Sequence, residues 1–132
     1  MLFNFYNSVG MCDFVAAPIN PLKLSQLCDF INGATGWDMT AWELIKVGER
    51  ANTMARLFNI REGLTSADDM LPQRMFEPMQ NGHLEGSAID MDEFVQMRKT
   101  YYQMAGWGDE GYPTTGKLAE LDLLWTMDKV AA

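Results

Sequence analysis

The sequence predicts an all-α fold, an irregular bundle of about five helices with a long loop-rich middle segment. Composition is the first sign: 13 Leu and 11 Met stand against 5 Val and 5 Ile, and unbranched apolar side chains favour helix over strand. Periodicity is the second, because apolar residues recur in steps of three and four. Cap chemistry at the starts of these stretches is the third.

The elements follow in order. Asn20-Pro21 is a helix start, an amide cap followed by Pro at the first helical position, with Leu24, Leu27, Cys28 and Ile31 at helical spacing behind it. Gly33 is its expected left-handed stop. Thr40-Ala41-Trp42-Glu43 forms a capping box. Leu44, Val47, Ala51, Met54 and Phe58 then make an apolar stripe, opposite Lys46, Glu49, Arg50, Asn52, Thr53 and Arg56. Gly48 interrupts this helix at a cost of about 1 kcal/mol; drift and the close passage of a neighbouring helix both account for it. From Asn59 to Gly86 the periodicity fades among Gly63, Pro72, Pro78, Gly82 and Gly86, so loops with one short helical turn are expected. Asp90 caps the next helix with Glu93 placed to return the bond, and Phe94, Val95, Tyr101, Tyr102 and Ala105 mark its buried side. Gly106 to Pro113 is a turn-rich connection. Thr114 caps a last short helix through Leu118 and Leu121, and the tail from Thr126 is expected to fray.

The 132 residues amount to one domain, with 48% hydrophobic residues and a formal charge of −8. A chain of this size buries about two-thirds of its unfolded surface. The acidic balance argues against nucleic acid and anionic membranes as main partners. No apolar run is long enough to span a bilayer. The N-terminal stretch lacks the basic region of a signal peptide, so a cytoplasmic location is expected. Leu2, Phe3, Phe5 and Tyr6 put core-like sequence at the very start, which leads us to expect a fragment or split subunit of something longer. On that expectation, the face around Phe3, Phe5, Tyr6 and Phe14 is exposed and drives self-association.

The chemistry available is narrow. With 2 Cys and 1 His, neither a disulfide framework nor a multi-imidazole metal site is available. Cys28 lies on an apolar stripe and reads as a buried thiol. Cys12 has no sequence-adjacent base, and His83 sits in a Gly-containing loop. Iron–sulfur clusters need about four ligands, so Cys12 can supply only one to a cluster completed by other polypeptide. Asp68-Asp69 after Thr65-Ser66 is open to two readings, a carboxylate pair for acid–base work or a metal, or helix capping by Ser66 or Asp68. Composition and spacing alone stop at an acidic helical domain.

A longer run of residues carries more. Arg56-Leu57-Phe58-Asn59-Ile60-Arg61-Glu62-Gly63, continuing to Asp68-Asp69-Met70-Leu71-Pro72-Gln73-Arg74, resembles the C-terminal region of the tungsten-dependent aldehyde ferredoxin oxidoreductase family, which reads R-x-F-N-x-R-E-G and D-D-x-L-P-x-R. Ala34-Thr35-Gly36-Trp37-Asp38, Tyr101-Tyr102 with Gly106-Trp107, and Gly111-Tyr112-Pro113-Thr114 are similar to further stretches of that family, in the same order.

The resemblance implies the rest. The family carries D-x-x-G-L-C where this chain has Asn7-Ser8-Val9-Gly10-Met11-Cys12; its Asp hydrogen-bonds a pyranopterin and its Cys is the last ligand of a [4Fe–4S] cluster. Asn7, Gly10 and Met11 are therefore the candidate cofactor-binding residues and Cys12 the candidate metal ligand. Asn7 departs from the pattern: an amide accepts and donates but carries no charge. The implied activity is oxidation of aldehydes to acids by tungsten or molybdenum held by two pyranopterins, with electrons leaving through the cluster to ferredoxin. The family's acid–base residues lie upstream, so no catalytic residue is expected here. Nor is the chain expected to retain a cofactor or turn over alone. Its expected partners are the upstream cofactor-binding domains. The alternative is a free-standing helical interaction module that has lost the cofactor role.

Overall fold

The computed structural model of the chain describes residues 2–12, 14 and 22–130. Among these, six α-helices follow one another: α1 (Leu2–Ser8), α2 (Leu24–Thr35), α3 (Ala41–Arg61), α4 (Met91–Ala105), α5 (Thr115–Glu120) and α6 (Met127–Val130). Short 3-10 turns lie at Gln73–Phe76 and Leu124–Thr126. No strand forms among the described residues, and the fold is all-α as the sequence predicts. The chain divides into two compact units, residues 1–56 and 57–132.

In the first unit, Phe5, Tyr6, Leu27, Cys28 and Leu44 form the core, with Val9, Met11, Ile31 and Val47 packed against it. Cys28 is the buried thiol expected. The exposed N-terminal patch expected from the sequence is half wrong: Phe5 and Tyr6 are inside, and only Phe3 and Phe14 stay exposed. Asn20 and Pro21 lie outside the described residues, but α2 starts later than expected from them: Leu22 and Lys23 are not helical, and Lys23 in extended conformation takes the N-cap position. The described helix α2 begins after Lys23, whose N–H donates to Gln26 Oε1 (2.9 Å).

Gly33 is not the stop of α2. The helix runs on to Thr35, and Gly36 adopts the left-handed conformation with its N–H on the Asn32 carbonyl (2.8 Å). The Asn32 side chain decides this. Its amide donates to the Met39 carbonyl and accepts from the Met39 N–H, both at 2.9 Å, so the chain turns where Asn32 ties the following loop.

The capping box of α3 is as predicted. Thr40 Oγ accepts from the Glu43 N–H (3.3 Å) and Glu43 Oε2 from the Thr40 N–H (2.7 Å). The Thr40 donors hold the Glu43 carboxyl below its ordinary pKa. The predicted stripe holds only for its first turns. Leu44 is buried, but Met54 and Phe58 are exposed, whereas Glu49, Thr53 and Arg56, assigned to the solvent face, are buried. Glu49, Thr53, Arg56 and Ile60 are themselves spaced four, three and four apart, so a second face of the same period is available. Burial of its polar members requires partners; Lys46 Nζ meets Glu49 Oε2 at 2.5 Å. Gly48 is buried as well.

In the second unit, Leu57, Leu118, Leu121 and Leu123 make one cluster and Tyr102, Ala105 and Trp107 another. The loop after α3 is held by α4. Arg98 Nη1 donates to the Ser66 and Asp69 carbonyls (2.7 and 3.2 Å), and the Tyr102 hydroxyl donates to Asp69 Oδ2. Asp90 caps α4 by accepting from the Glu93 N–H (2.8 Å). Tyr102 and Ala105 are buried as predicted, but Tyr101 is half exposed, with its ring edge-on to Trp107. Thr114 caps α5 by accepting from the Lys117 N–H. The tail does not fray at Thr126: Leu123 and Thr126 are buried, Thr126 Oγ donates to the Leu123 carbonyl (2.6 Å), and α6 follows.

Four helix ends share one bonding pattern. At α1 the Met11 N–H reaches the Tyr6 carbonyl (2.9 Å) and the Gly10 N–H the Asn7 carbonyl (3.2 Å). The pairs Leu64 to Asn59 with Gly63 to Ile60, Trp107 to Tyr102 with Gly106 to Gln103, and Leu123 to Leu118 with Asp122 to Ala119 repeat it. This is the Schellman arrangement, a left-handed residue followed by an apolar one that folds back on the last turn. Three of the recognised sequence motifs are such helix ends.

Candidate functional site

The segment Asn7–Cys12 is built by the end of α1. Phe5 and Tyr6 are buried to 0% and 4% exposure and anchor the helix. Gly10 sits at φ 72°, a conformation that costs a residue with a Cβ about 1–2 kcal/mol. This glycine turns the chain so that Met11 packs against the core containing Tyr6. Helix end, left-handed turn and apolar anchor together fix the backbone on both sides of Gly10. Cys12 follows immediately and is exposed. Asn7, in the last turn of α1, also faces solvent. With Asn4, Ser8, Ala51 and Ala55 it lines a shallow depression of about 280 Å³.

Chemically, this arrangement offers one accessible sulfur on a pinned backbone, with one uncharged amide nearby along the chain. No group of three or more His, Cys, Asp or Glu forms a metal site among the described residues.

The other residues weighed in the sequence have structural employment. Asp68 Oδ2 accepts from the Thr65 N–H and hydroxyl (2.8 and 3.0 Å), and Ser66 Oγ donates to Glu110 Oε2 (2.7 Å). No helix begins at residues 65–69, so the expected capping is not what the pair does: Asp68 closes a turn onto Thr65 and Asp69 accepts from the Tyr102 hydroxyl, both loop ties. Arg61 pairs with Glu62 (2.8 Å) and lies over the Phe58 ring. His83 is an exposed loop residue. Sequence reasoning missed Asn4 and Asn52: Asn4 Nδ2 donates to Asn52 Oδ1 at 3.1 Å, 48 residues apart, a separation that leaves no trace in local patterns.

Residues 1–123 match the family described as aldehyde ferredoxin oxidoreductase, domains 2 and 3. The chain belongs to the aldehyde ferredoxin oxidoreductase family. It is 37% identical over 119 residues to the tungsten-containing aldehyde ferredoxin oxidoreductase of Pyrococcus furiosus, covering 89% of this chain and 19% of that protein. The enzyme of the same name from Thermococcus kodakarensis is also 37% identical, with the same coverage. The aliphatic sulfonate oxidoreductase WOR-like subunit of P. furiosus is 27% identical over 125 residues, 90% of this chain and 19% of that one. Among solved structures, the active-site complex BamBC of benzoyl coenzyme A reductase, with 1,5-dienoyl-CoA, superposes with a TM-score of 0.78 at 25% identity, covering 96% of this chain and 18% of that one. The chain thus spans about a fifth of the length of the aldehyde ferredoxin oxidoreductases it matches.

Proposed function

We propose that this chain is the C-terminal helical part of an aldehyde-oxidising member of the aldehyde ferredoxin oxidoreductase family. In this reading it supplies Cys12 as one ligand of a [4Fe–4S] cluster and helps enclose a pyranopterin-bound tungsten or molybdenum. The observation that carries the reading is the exposed Cys12 thiol directly after the Gly10 turn and the Met11 anchor.

Each residue has a defined task. Gly10 permits the turn. Met11 holds the backbone to the core, so that the sulfur is presented from a fixed base. Asn7, where the family carries Asp, offers a carbonyl oxygen and an N–H to a polar ring edge without adding negative charge. The bound metal and cluster, when present, supply the two-electron chemistry. The chain holds no catalytic acid or base in this scheme; aldehyde binding and proton transfer belong to the remaining polypeptide. Ferredoxin is the electron acceptor proposed for the assembled enzyme, and its compartment the cytoplasm.

The test is a chimera in which this chain replaces the matching segment of the P. furiosus enzyme. Aldehyde-dependent dye reduction and the full iron content are expected in the parent chimera. A loss of cluster iron is expected in Cys12→Ala, and no turnover from the chain by itself. Full iron in the Cys12→Ala chimera would refute the ligand role. A chimera that folds but never binds iron would favour the interaction-module reading, toward which Asn7 in place of Asp leans.

A further inference from the structure

We propose that Asn4 and Asn52 are positioning residues for the Asn7–Cys12 segment. Their amide–amide hydrogen bond fixes the rotation of α1 against α3 and so the direction in which Asn7 and Cys12 are presented. The inference rests on the cofactor-facing reading given above. Helix α1 has only seven residues and is held to its unit by Phe5 and Tyr6. Burial of Phe5 and Tyr6 decides which face of α1 turns inward, but apolar contacts are themselves non-directional and leave the finer rotation about the helix axis to polar contacts. A hydrogen bond is directional, and the Asn4 Nδ2 to Asn52 Oδ1 bond is part-buried. Asn4, Asn7 and Ser8 fall at i, i+3 and i+4, on one face of α1. That face and α3 share the depression lined by Asn4, Asn7, Ser8, Ala51 and Ala55. The two alanines project least from α3, which lets the polar face of α1 approach it. Ser8 Oγ donates to the Asn4 carbonyl (2.7 Å), which ties the residue that grips α3 to the turn just before Gly10. A rotation of α1 about its axis would carry Asn7 and the base of Cys12 with it, because the Gly10 and Met11 N–H groups are bonded to α1 carbonyls.

The coupling is read in the intact 132-residue chain by ¹⁵N relaxation, with Asn4→Ala, Asn52→Ala and Asn52→Asp. Order parameters at Gly10, Met11 and Cys12 are expected near about 0.85 in the native chain and to fall toward about 0.6 in either alanine variant, while α2 stays rigid. Asn52→Asp keeps an oxygen to accept from Asn4 and should restore the native values. In the chimera, Asn52→Ala should alter the electron paramagnetic resonance line shape of the cluster at unchanged iron content, a signature that a merely structural role would not move. Unchanged order parameters at residues 10–12 in a folded alanine variant would overturn the proposal. So would a loss of order spread evenly over α2, or failure of Asn52→Asp to rescue. The Cys12→Ala chimera tests the cofactor reading separately: full iron there, with the relaxation response intact, sinks that reading and leaves the Asn4–Asn52 coupling standing.

Discussion

At the scale of single residues, the left-handed helix stops are where sequence and conformation are most tightly bound. Gly10 and Asp122 hold equivalent places in the same bonding pattern, at φ 72° and 53°, yet only one is glycine. A Cβ at Gly10 meets nothing within 4 Å, so the cost of Gly10→Ala comes from backbone conformation alone, about 1–2 kcal/mol. Urea denaturation should show that loss as a lower midpoint with an unchanged slope. Asp122→Gly is expected to go the other way. It relieves the left-handed strain, and the greater entropy of glycine in the unfolded chain offsets part of the gain, leaving a stabilisation of at most about 1 kcal/mol. The Asp122 stop was hidden from the sequence because the rule that finds such stops looks for glycine or asparagine. Gly33 misled for the complementary reason: it has the right chemistry, but the Asn32 amide bonds to Met39 move the stop to Gly36.

At the scale of elements, cap chemistry was the most legible part of the chain. Thr40 with Glu43, Asp90 with the Glu93 N–H, and Thr114 with the Lys117 N–H all form where the sequence places them. These contacts span three residues and need nothing from the rest of the fold. The Glu43 carboxyl, held below its ordinary pKa by the Thr40 N–H and hydroxyl, makes one cap pH-dependent. A depressed folded-state pKa contributes stability that is present above the unfolded-state value of about 4.3 and lost as the pH falls through the lower folded-state value. Stability measured from neutral pH down through the carboxylate range should therefore fall more steeply in the native chain than in Glu43→Gln, the two curves converging at low pH. An equal slope would show that folding does not lower the pKa of the Glu43 carboxyl. The second half of α3 was illegible for the opposite reason. The burial of Glu49, Thr53 and Arg56 depends on what packs beside them, and charged residues at helical spacing ordinarily mark the solvent side.

At the scale of the whole molecule, the candidate site is proposed only through resemblance. One sulfur cannot announce a cluster, and local spacing gives Cys12 no partner. The ordered motifs R-E-G, A-T-G-W-D and Y-Y-x-x-x-G-W pointed to the family, and the structure shows that their glycines end helices, so what was recognised was largely the punctuation of the fold. The same scale governs association. Phe3, Phe30, Trp37, Trp42 and Phe58 remain more than half exposed on a chain spanning about a fifth of its matched relatives. We propose that the isolated chain self-associates through such apolar surface. Its charge of −8 opposes association by mutual repulsion, which added salt screens over a Debye length that shortens from about 30 Å at 0.01 M to about 3 Å at 1 M. The mass measured by sedimentation should therefore rise with ionic strength at neutral pH. Association through ion pairs would show the reverse trend, and a monomer at every salt concentration would mean that these rings are tolerated in water singly rather than joined in a sticky face.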